Sequence, residues 1–322
     1  MIVTAEAVTA WHPDKICDQV SDAIVDECLK QDPKSRVAIE TMGGHGTLLL
    51  VGEITTKAFV NYREVARKVY WDLTGKEIGI LVNIVKQSSD IARGVDRGGA
   101  GDQGIMIGYA CNENKMKIPQ EMYEARKILE PFKADGKSQI TMEDGIITDI
   151  VLSVQNKSKK ELQKHIERYL GKDYFLDFVP NIYCNNTGAF DIGGFDSDSG
   201  CTGRKIVVDS YGPRVPVGGG SFSGKDPTKV DRSGAYMARY MALDILRKTR
   251  AEDVVVKLAY AIGEDVPLMK DAIVHKGNDF AIEPDLSIYD CRPQAIIERF
   301  NLRRPIYLDL ARNGHFGRKE LP

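Results

Sequence analysis

The stretch GGGSFSGKD, residues 218–226, carries the chemistry of a phosphate site. From Gly219 it spells G-x-x-x-x-G-K, a pattern in which backbone N–H groups and a lysine cradle a polyphosphate. Such a loop closes on Ser or Thr, whose hydroxyl ligates Mg²⁺; here the position is Asp226. The context differs as well. Pro213 and Pro216 make the preceding residues a poor central strand, and Asp-Pro-Thr-Lys separates Lys225 from the next helical pattern. The stretch is therefore not read as a P-loop. Gly218–Gly220 still let backbone N–H groups approach a phosphate, Lys225 and Lys229 supply positive charge, and Asp231 is a candidate metal carboxylate.

Similar small groups of charge recur along the chain. WHPDK (11–15) puts His12, Asp14 and Lys15 at a helix start, a natural place for an anion, with Asp14 able to hold Mg²⁺. Asp14 could equally just complement the helix dipole. GRK (203–205) offers Arg204 and Lys205 ahead of a strand-like IVVDSYG, and ADGKSQ (134–139) offers Asp135 and Lys137 at a strand start. Singly, each fits a solvated turn. Together, on Gly-rich loops, they point to one densely charged site for a nucleotide or polyphosphate.

The elements that must position these residues follow from periodicity. DKICDQVSDAIVDECLKQD places Ile16, Val20, Ala23, Ile24 and Cys28 on one helical face with charges on the other. SRVAIET and TLLLVGEITT read as a hairpin around MGGHG, and FVNYREVARKVYWDL as a helix. The order returns with QEMYEARKILEPF (helix), KSQITMEDGIITDIVLSVQ (hairpin) and SKKELQKHIERYL (helix with a Ser N-cap). It returns again with DRSGAYMARYMALDILRK, the strands DVVVKLAYAIG and PLMKDAIVH, and the helix RPQAIIERF. Helix–hairpin–helix thus occurs three times, which predicts an α/β (α+β) chain of three similar sheet-and-helix domains. The expected boundaries are 1–92, 99–189 and 190–322. Residues 86–104, 190–205 and the stretch leading to Lys225 read as loops, either site material or solvated connectors.

Bulk properties bound the partners. The 322 residues carry a net charge near −2, so no overall basic field exists for nucleic acid or an anionic membrane. Six cysteines without paired spacing fit a reducing, cytoplasmic setting. No N-terminal signal pattern or membrane-length apolar run is expected.

At these residues the chain resembles the S-adenosylmethionine synthetase (methionine adenosyltransferase) family. The strings HPDK (12–15), VGEITT (51–56), KQS (86–88), GAGDQG (99–104), KSQIT (137–141), TGRK (202–205), GGGSFSGKDPTKVDRS (218–233), YAIG (260–263) and GHFGR (314–318) stand in the family's order from end to end. The resemblance implies three α/β domains related by a pseudo-threefold. The implied reaction joins L-methionine to ATP by sulfur attack on ribose C5′, then hydrolyses the displaced triphosphate to phosphate and pyrophosphate. It further implies two Mg²⁺ per site, K⁺, and a homodimer or tetramer whose sites are shared between subunits. By motif position, His12 resembles the residue beside C5′ and the bridging oxygen. Asp14 and Asp231 resemble Mg²⁺ ligands, and Glu40 the K⁺ ligand. Lys15, Lys137, Arg204, Lys205, Lys225 and Lys229 resemble the triphosphate clamp. Glu53 and Gln87 resemble methionine contacts, and Asp102, Asp135, Phe190, Asp198 and Ile262 resemble residues around adenosine and methionine.

Departures fall at the rim of the implied site. Ala10 and Trp11 replace an acidic residue and Gly before the histidine, Ala189 stands where Arg is usual, and Ser221 where Ala is common. The segment after Gln87, a gate in the family, is shorter here. A shorter gate and an altered rim predict looser methionine selectivity. Two other readings compete: a polyphosphate hydrolase that has lost alkyl transfer, and an inactive partner of a catalytic subunit.

Overall fold

A computed structural model describes residues 1–87, 98–171, 174, 178–277 and 282–318. Three sheets carry the architecture. In chain order, β1 (Ile2–Val8) leads into α1 (Pro13–Gln31), and the hairpin β2 (Arg36–Gly44) and β3 (Thr47–Thr55) is followed by α2 (Tyr62–Thr74) and β4 (Gly79–Val85). Next come β5 (Gly104–Cys111), α3 (Gln120–Leu129), the hairpin β6 (Gly136–Glu143) and β7 (Ile146–Val154), α4 (Lys159–Leu170) and β8 (Asn181–Cys184). The last part holds β9 (Gly200–Cys201), α5 (Ile206–Asp209), α6 (Val230–Thr249), the hairpin β10 (Asp253–Tyr260) and β11 (Met269–His275), α7 (Pro293–Arg299) and α8 (Tyr307–Arg312).

The same ladder is built three times. Each sheet is built on a hairpin, β2–β3, β6–β7 or β10–β11, central in the two four-stranded sheets and at one edge of the three-stranded one. In two of them the helix after the hairpin returns the chain to a parallel strand, β4 beside β3 and β8 beside β7. The first hairpin strand then takes an antiparallel partner from elsewhere in the chain: β1 pairs β6, β5 pairs β10 and β9 pairs β2. The three-domain, mixed α/β organisation expected from the repeat is thus present, with β1, β5 and β9 each pairing with a hairpin from a distant part of the chain.

Local chemistry explains most boundaries. Pro13 opens α1 behind the His12 N-cap. Ser158 and Glu161 form a full capping box on α4, and Gly75 ends α2 in the left-handed conformation. One expected strand is corrected: IVVDSYG begins as the short helix α5, closed by Asp209 N–H to Lys205 O (2.7 Å) and Ser210 N–H to Ile206 O (3.0 Å). Its β-branched residues favour a strand, but the tertiary anchors on Lys205 and Asp209 override that preference.

Helices α1, α3 and α6 pack on the sheets, and the buried apolar side chains form one continuous core. The opposite sheet faces expose Met42, Val51, Leu81, Val85, Ile105, Tyr183 and Met269. All six cysteines are free thiols. Among the described residues, no helix is long and apolar enough to cross a membrane.

Candidate active site

His12 anchors the first group of charges. As N-cap of α1, its Nδ1 accepts the Asp14 N–H at 3.2 Å, so in the neutral ring the proton sits on Nε2. The ring is 3% exposed. Burial pushes its pKa down to about 4, helped by the charges of Lys205 and Lys137. The ring is therefore a neutral donor at physiological pH. Asp14 is fully buried. Its carboxylate accepts Lys205 Nζ at 2.6 Å and Cys201 N–H at 2.9 Å, with Arg204 Nε at 3.3 Å. Burial works against its charge, yet the Lys205 bond and the Cys201 N–H hold its pKa below the usual value.

The loop before Cys201 completes this group. Asp135 accepts Gly194 N–H at 2.9 Å, and its carboxyl is raised by burial while Lys137 opposes and Asp198 adds to the rise. Asn156 N–H reaches Phe190 O at 3.0 Å and Gln155 N–H reaches Asp135 O at 2.8 Å. Phe190, with exposed Ala189 beside it, therefore lies along the Asp135 segment.

A second group lies around Lys225, which pairs with Asp231. Lys225 also bridges to Ala38 of β2, two residues from Glu40. Burial raises the Glu40 carboxyl; Lys225 opposes this and Glu53 reinforces it. The Gly-rich run serves close approach: a Cβ on Gly220 would sit 2.2 Å from Asp231 Oδ1, and one on Gly218 1.6 Å from Ile105 O. Gly104 also lies against Asp231, which brings the Asp102 loop alongside. That loop meets the Ile262 turn through Gly263 N–H to Ala100 O and Ala100 N–H to Glu264 O, both 2.8 Å. The two groups join at Ser221, since a Cβ on Gly203 would stand 2.7 Å from Ser221 Cβ.

Two of the sequence-nominated cations are held by buried carboxylates. Lys15 is 1% exposed and points inward, with Nζ 3.0 Å from Asp18 and 2.6 Å from Asp209. Lys229 pairs with Asp226 at 2.6 Å. Gln87 lies two residues beyond Val85, the register partner of Glu53, on the side of the other methionine-contact candidate, and among the described residues its buried Oε1 has no hydrogen-bond partner. The gate segment that follows it lies outside the described residues.

The sequence reading missed Asp18, Asp22, Asp209, Asp226 and Arg232. Asp226 accepts Val37 N–H (2.7 Å) and Thr228 N–H (2.8 Å) as well as Lys229. It is a buried brace between β2 and α6, which is why an aspartate ends a phosphate-like loop. Asp22 holds the buried Arg232 guanidinium at 2.6 and 2.8 Å. The available signal was the four-residue spacing of Asp14, Asp18, Asp22 and Asp26.

Family models match nearly the whole length: the N-terminal domain of S-adenosylmethionine synthetase over residues 1–89, its central domain over 97–190 and its C-terminal domain over 192–322. The chain is also 42% identical to the S-adenosylmethionine synthase of Brachyspira hyodysenteriae, across 99% of its own residues and 93% of that protein. Three consecutive domain matches and a relative aligned from end to end agree: the chain belongs to the S-adenosylmethionine synthetase family, a family of transferases.

Proposed function

We propose that this chain converts ATP, L-methionine and water into S-adenosylmethionine, phosphate and pyrophosphate. The observation that supports it best is the gathering of His12, Lys137, Arg204, Lys205 and Lys225, with Asp14 and Asp231, around the Gly203–Ser221 contact from four distant parts of the chain. A thioether sulfur carries no proton, so its attack on C5′ needs no general base. A buried neutral His12 fits that demand, because its remaining N–H can donate to the oxygen that leaves. The barrier then lies in the charge that the departing triphosphate acquires. Preoriented ammonium and guanidinium groups stabilise such charge without reorganising.

Metal fits the same site. Asp14 and Asp231 are separate hard-oxygen donors, and among the described residues no group of three or more His, Cys, Asp or Glu is poised for an ion. Mg²⁺ is commonly held by one or two carboxylates plus substrate phosphates and water. Asp14 and Asp231 would hold it in that way, and it would neutralise phosphoryl oxygens. Glu40, with Glu53 as neighbour, would hold K⁺.

The shared homodimeric site is part of this reading. Glu40 and Glu53 stand on an exposed sheet face that also carries Met42, Leu49, Val51, Leu81 and Val85, with Asn83 opposite Val51. In the register, Glu40 faces Val51, Met42 faces Leu49, Leu49 faces Leu81 and Glu53 faces Val85. An apolar face holding candidate methionine and cation contacts is the surface a second copy would cover.

The test is product formation by the purified chain with ATP, Mg²⁺ and K⁺, with and without methionine. S-adenosylmethionine that appears only with methionine, and a loss of about 10²–10³-fold in kcat for Lys205→Met, are the expected results. ATP breakdown independent of methionine, with no sulfonium product, would favour the hydrolase and overturn the proposal.

A further inference from the structure

The string GHFGR (314–318) has no role in the proposed reaction, yet it builds one wall of a second cavity. His315 and Phe316 are buried in the core, while Gly314, Gly317 and Arg318 line a space of about 450 Å³. Its other walls are the connection from β1 to α1, with Val8 and Trp11, and α3 with the residues that follow it, among them Arg126, Leu129 and Phe132. Gly314 and Gly317 have φ of +84° and +79°. A Cβ on Gly314 would stand 2.5 Å from Arg126 Nη2, so only glycine lets the turn lie on that guanidinium.

The charge of the cavity is one-sided. Arg126 donates to Phe316 O (2.5 Å), Val208 O (2.7 Å) and Ser210 O (2.8 Å). It keeps N–H groups to spare, and among the described residues its buried Nε has no hydrogen-bond partner. Arg318 donates to Gly314 O (2.8 Å) and Leu310 O (3.1 Å). All these acceptors are carbonyls; among the described residues neither guanidinium pairs with a carboxylate. Burial lowers the pKa of both, that of Arg126 to about 10, with Asp209 opposing and Arg318 adding to the fall. Two other cations of the wall are matched: Lys15 by Asp18 and Asp209, and Arg312 by Asp309 at 3.2 Å. Exposed Lys127 and Lys133 also line the cavity. Arg126, Arg318, Lys127 and Lys133 thus stand against one carboxylate of the wall, Glu130.

A concave space of this size, with an apolar body and a few polar groups, suits a small ligand. Guanidinium groups without a carboxylate of their own favour one from outside, which matches their planar fork of donors. We propose that this cavity is a ligand site of its own, for a small organic carboxylate whose apolar body lies against Val8, Leu129 and Phe132 and whose charge meets Arg126 and Lys133. The site lies within one chain and needs no part of the proposed reaction.

The probe is 4-phenylbutyrate, with 4-phenylbutanol as the uncharged control and acetate as the control without a body. The chain has two tryptophans, and Trp71→Phe leaves Trp11, in the cavity wall, as the reporter. Binding is followed by Trp11 fluorescence and by calorimetry at low salt. One 4-phenylbutyrate per chain is expected, with the alcohol and acetate each bound at least about tenfold more weakly. Lys133→Glu is expected to weaken 4-phenylbutyrate roughly tenfold, and Lys133→Arg to keep its affinity. Gly314→Ala, whose Cβ would displace the Arg126 guanidinium, is expected to abolish binding; the Lys133 pair decides the matter if Gly314→Ala does not fold. Equal affinity for acid and alcohol, an affinity indifferent to Lys133→Glu, or no saturable binding in the millimolar range would overturn the site. Product formation is not the readout, so an inactive chain that binds the probe would sink the proposed reaction and leave the cavity standing.

Discussion

Asp226 and Trp11 both break a familiar local pattern, and both turn out to be braces. Asp226 is buried among Val37 N–H, Thr228 N–H and Lys229, and that ammonium keeps its pKa low against the pull of burial. Asp226→Asn preserves the shape but strands Lys229 beside a neutral amide. It is expected to cost about 2–3 kcal/mol in urea unfolding, and an unchanged midpoint would refute the brace. Trp11 stands at the rim of the implied site, where its sequence position alone would have it shape the mouth. In the fold its indole Nε1–H donates to Leu73 O at 2.7 Å, a last-turn carbonyl of α2 that lacks a helical partner. Thr9 Oγ1 bonds Ala134 O (2.7 Å) and Gln19 Nε2 bonds Ala10 O (2.7 Å), so the approach to His12 is tied to three elements. Trp11→Phe keeps the ring and loses the bond. A fall of about 1 kcal/mol in stability, with kcat lowered more than KM, is the expected pattern; a change confined to KM for methionine would restore the mouth-shaping reading. The motif residues were legible one by one, because glycines, prolines and charges announce loops. Their grouping was not, because convergence of residues 12, 137, 204 and 225 depends on tertiary contacts that leave no local trace.

Among the elements, α1 shows how far periodicity reaches. The apolar stripe of Ile16, Val20, Ala23, Ile24 and Cys28 was readable and is buried. The charged face was read as the opposite of core, yet Asp14, Asp18 and Asp22 are as buried as the apolar side. A charge scale cannot tell a solvated carboxylate from one that caps a distant backbone. The hairpins were found because a tight turn and two alternating strands lie within one window. Strands β1, β4, β5 and β8 were missed because their partners are remote, as with Ile2 opposite Glu143, or because a helix intervenes. The C-terminal string GHFGR has its own element-level role. His315 is fully buried between α6 and the aromatic cluster, with Nδ1 3.0 Å from Tyr236 Oη and its ring 4.8 Å from Phe222. Burial and nearby Arg232 push its pKa well below the ordinary histidine value. The folded state thus keeps it neutral while the unfolded chain protonates it near pH 6.5. Its contribution is full above that pH and is lost as pH falls, by up to about 1.4 kcal/mol per unit. His315→Gln is expected to flatten this acid limb of the stability curve; an unchanged slope between pH 6.5 and 5 would show that the imidazole does not titrate on unfolding.

For the whole molecule, the exchange of β1, β5 and β9 among the three sheets makes each sheet depend on a distant stretch of chain. The exchange also has a consequence for the site, because β9 leads directly into Gly203, Arg204 and Lys205, while β2, its partner, carries Glu40 and bridges to Lys225. The proposed clamp would therefore be assembled by sheet pairing as much as by loops, and the sheet that does so presents its outer face to solvent. That face carries Met42, Val51, Leu81 and Val85, of which Leu81 is 59% exposed. A contiguous apolar face of this kind is unusual on a monomer. Leu81→Asp would place a carboxylate within it, on the edge strand β4, without touching the core on the other side of that strand, since Ile80 is the neighbour that points inward. If a second copy covers the face, an unpaired charge buried there costs several kcal/mol. The variant is then expected to run as a folded monomer in sedimentation and to lose product formation, with activity recovering as protein concentration is raised. A wild-type chain that sediments as a monomer and turns over methionine at every concentration would show that one copy suffices, and Glu40 and Glu53 would then need another role on an exposed surface.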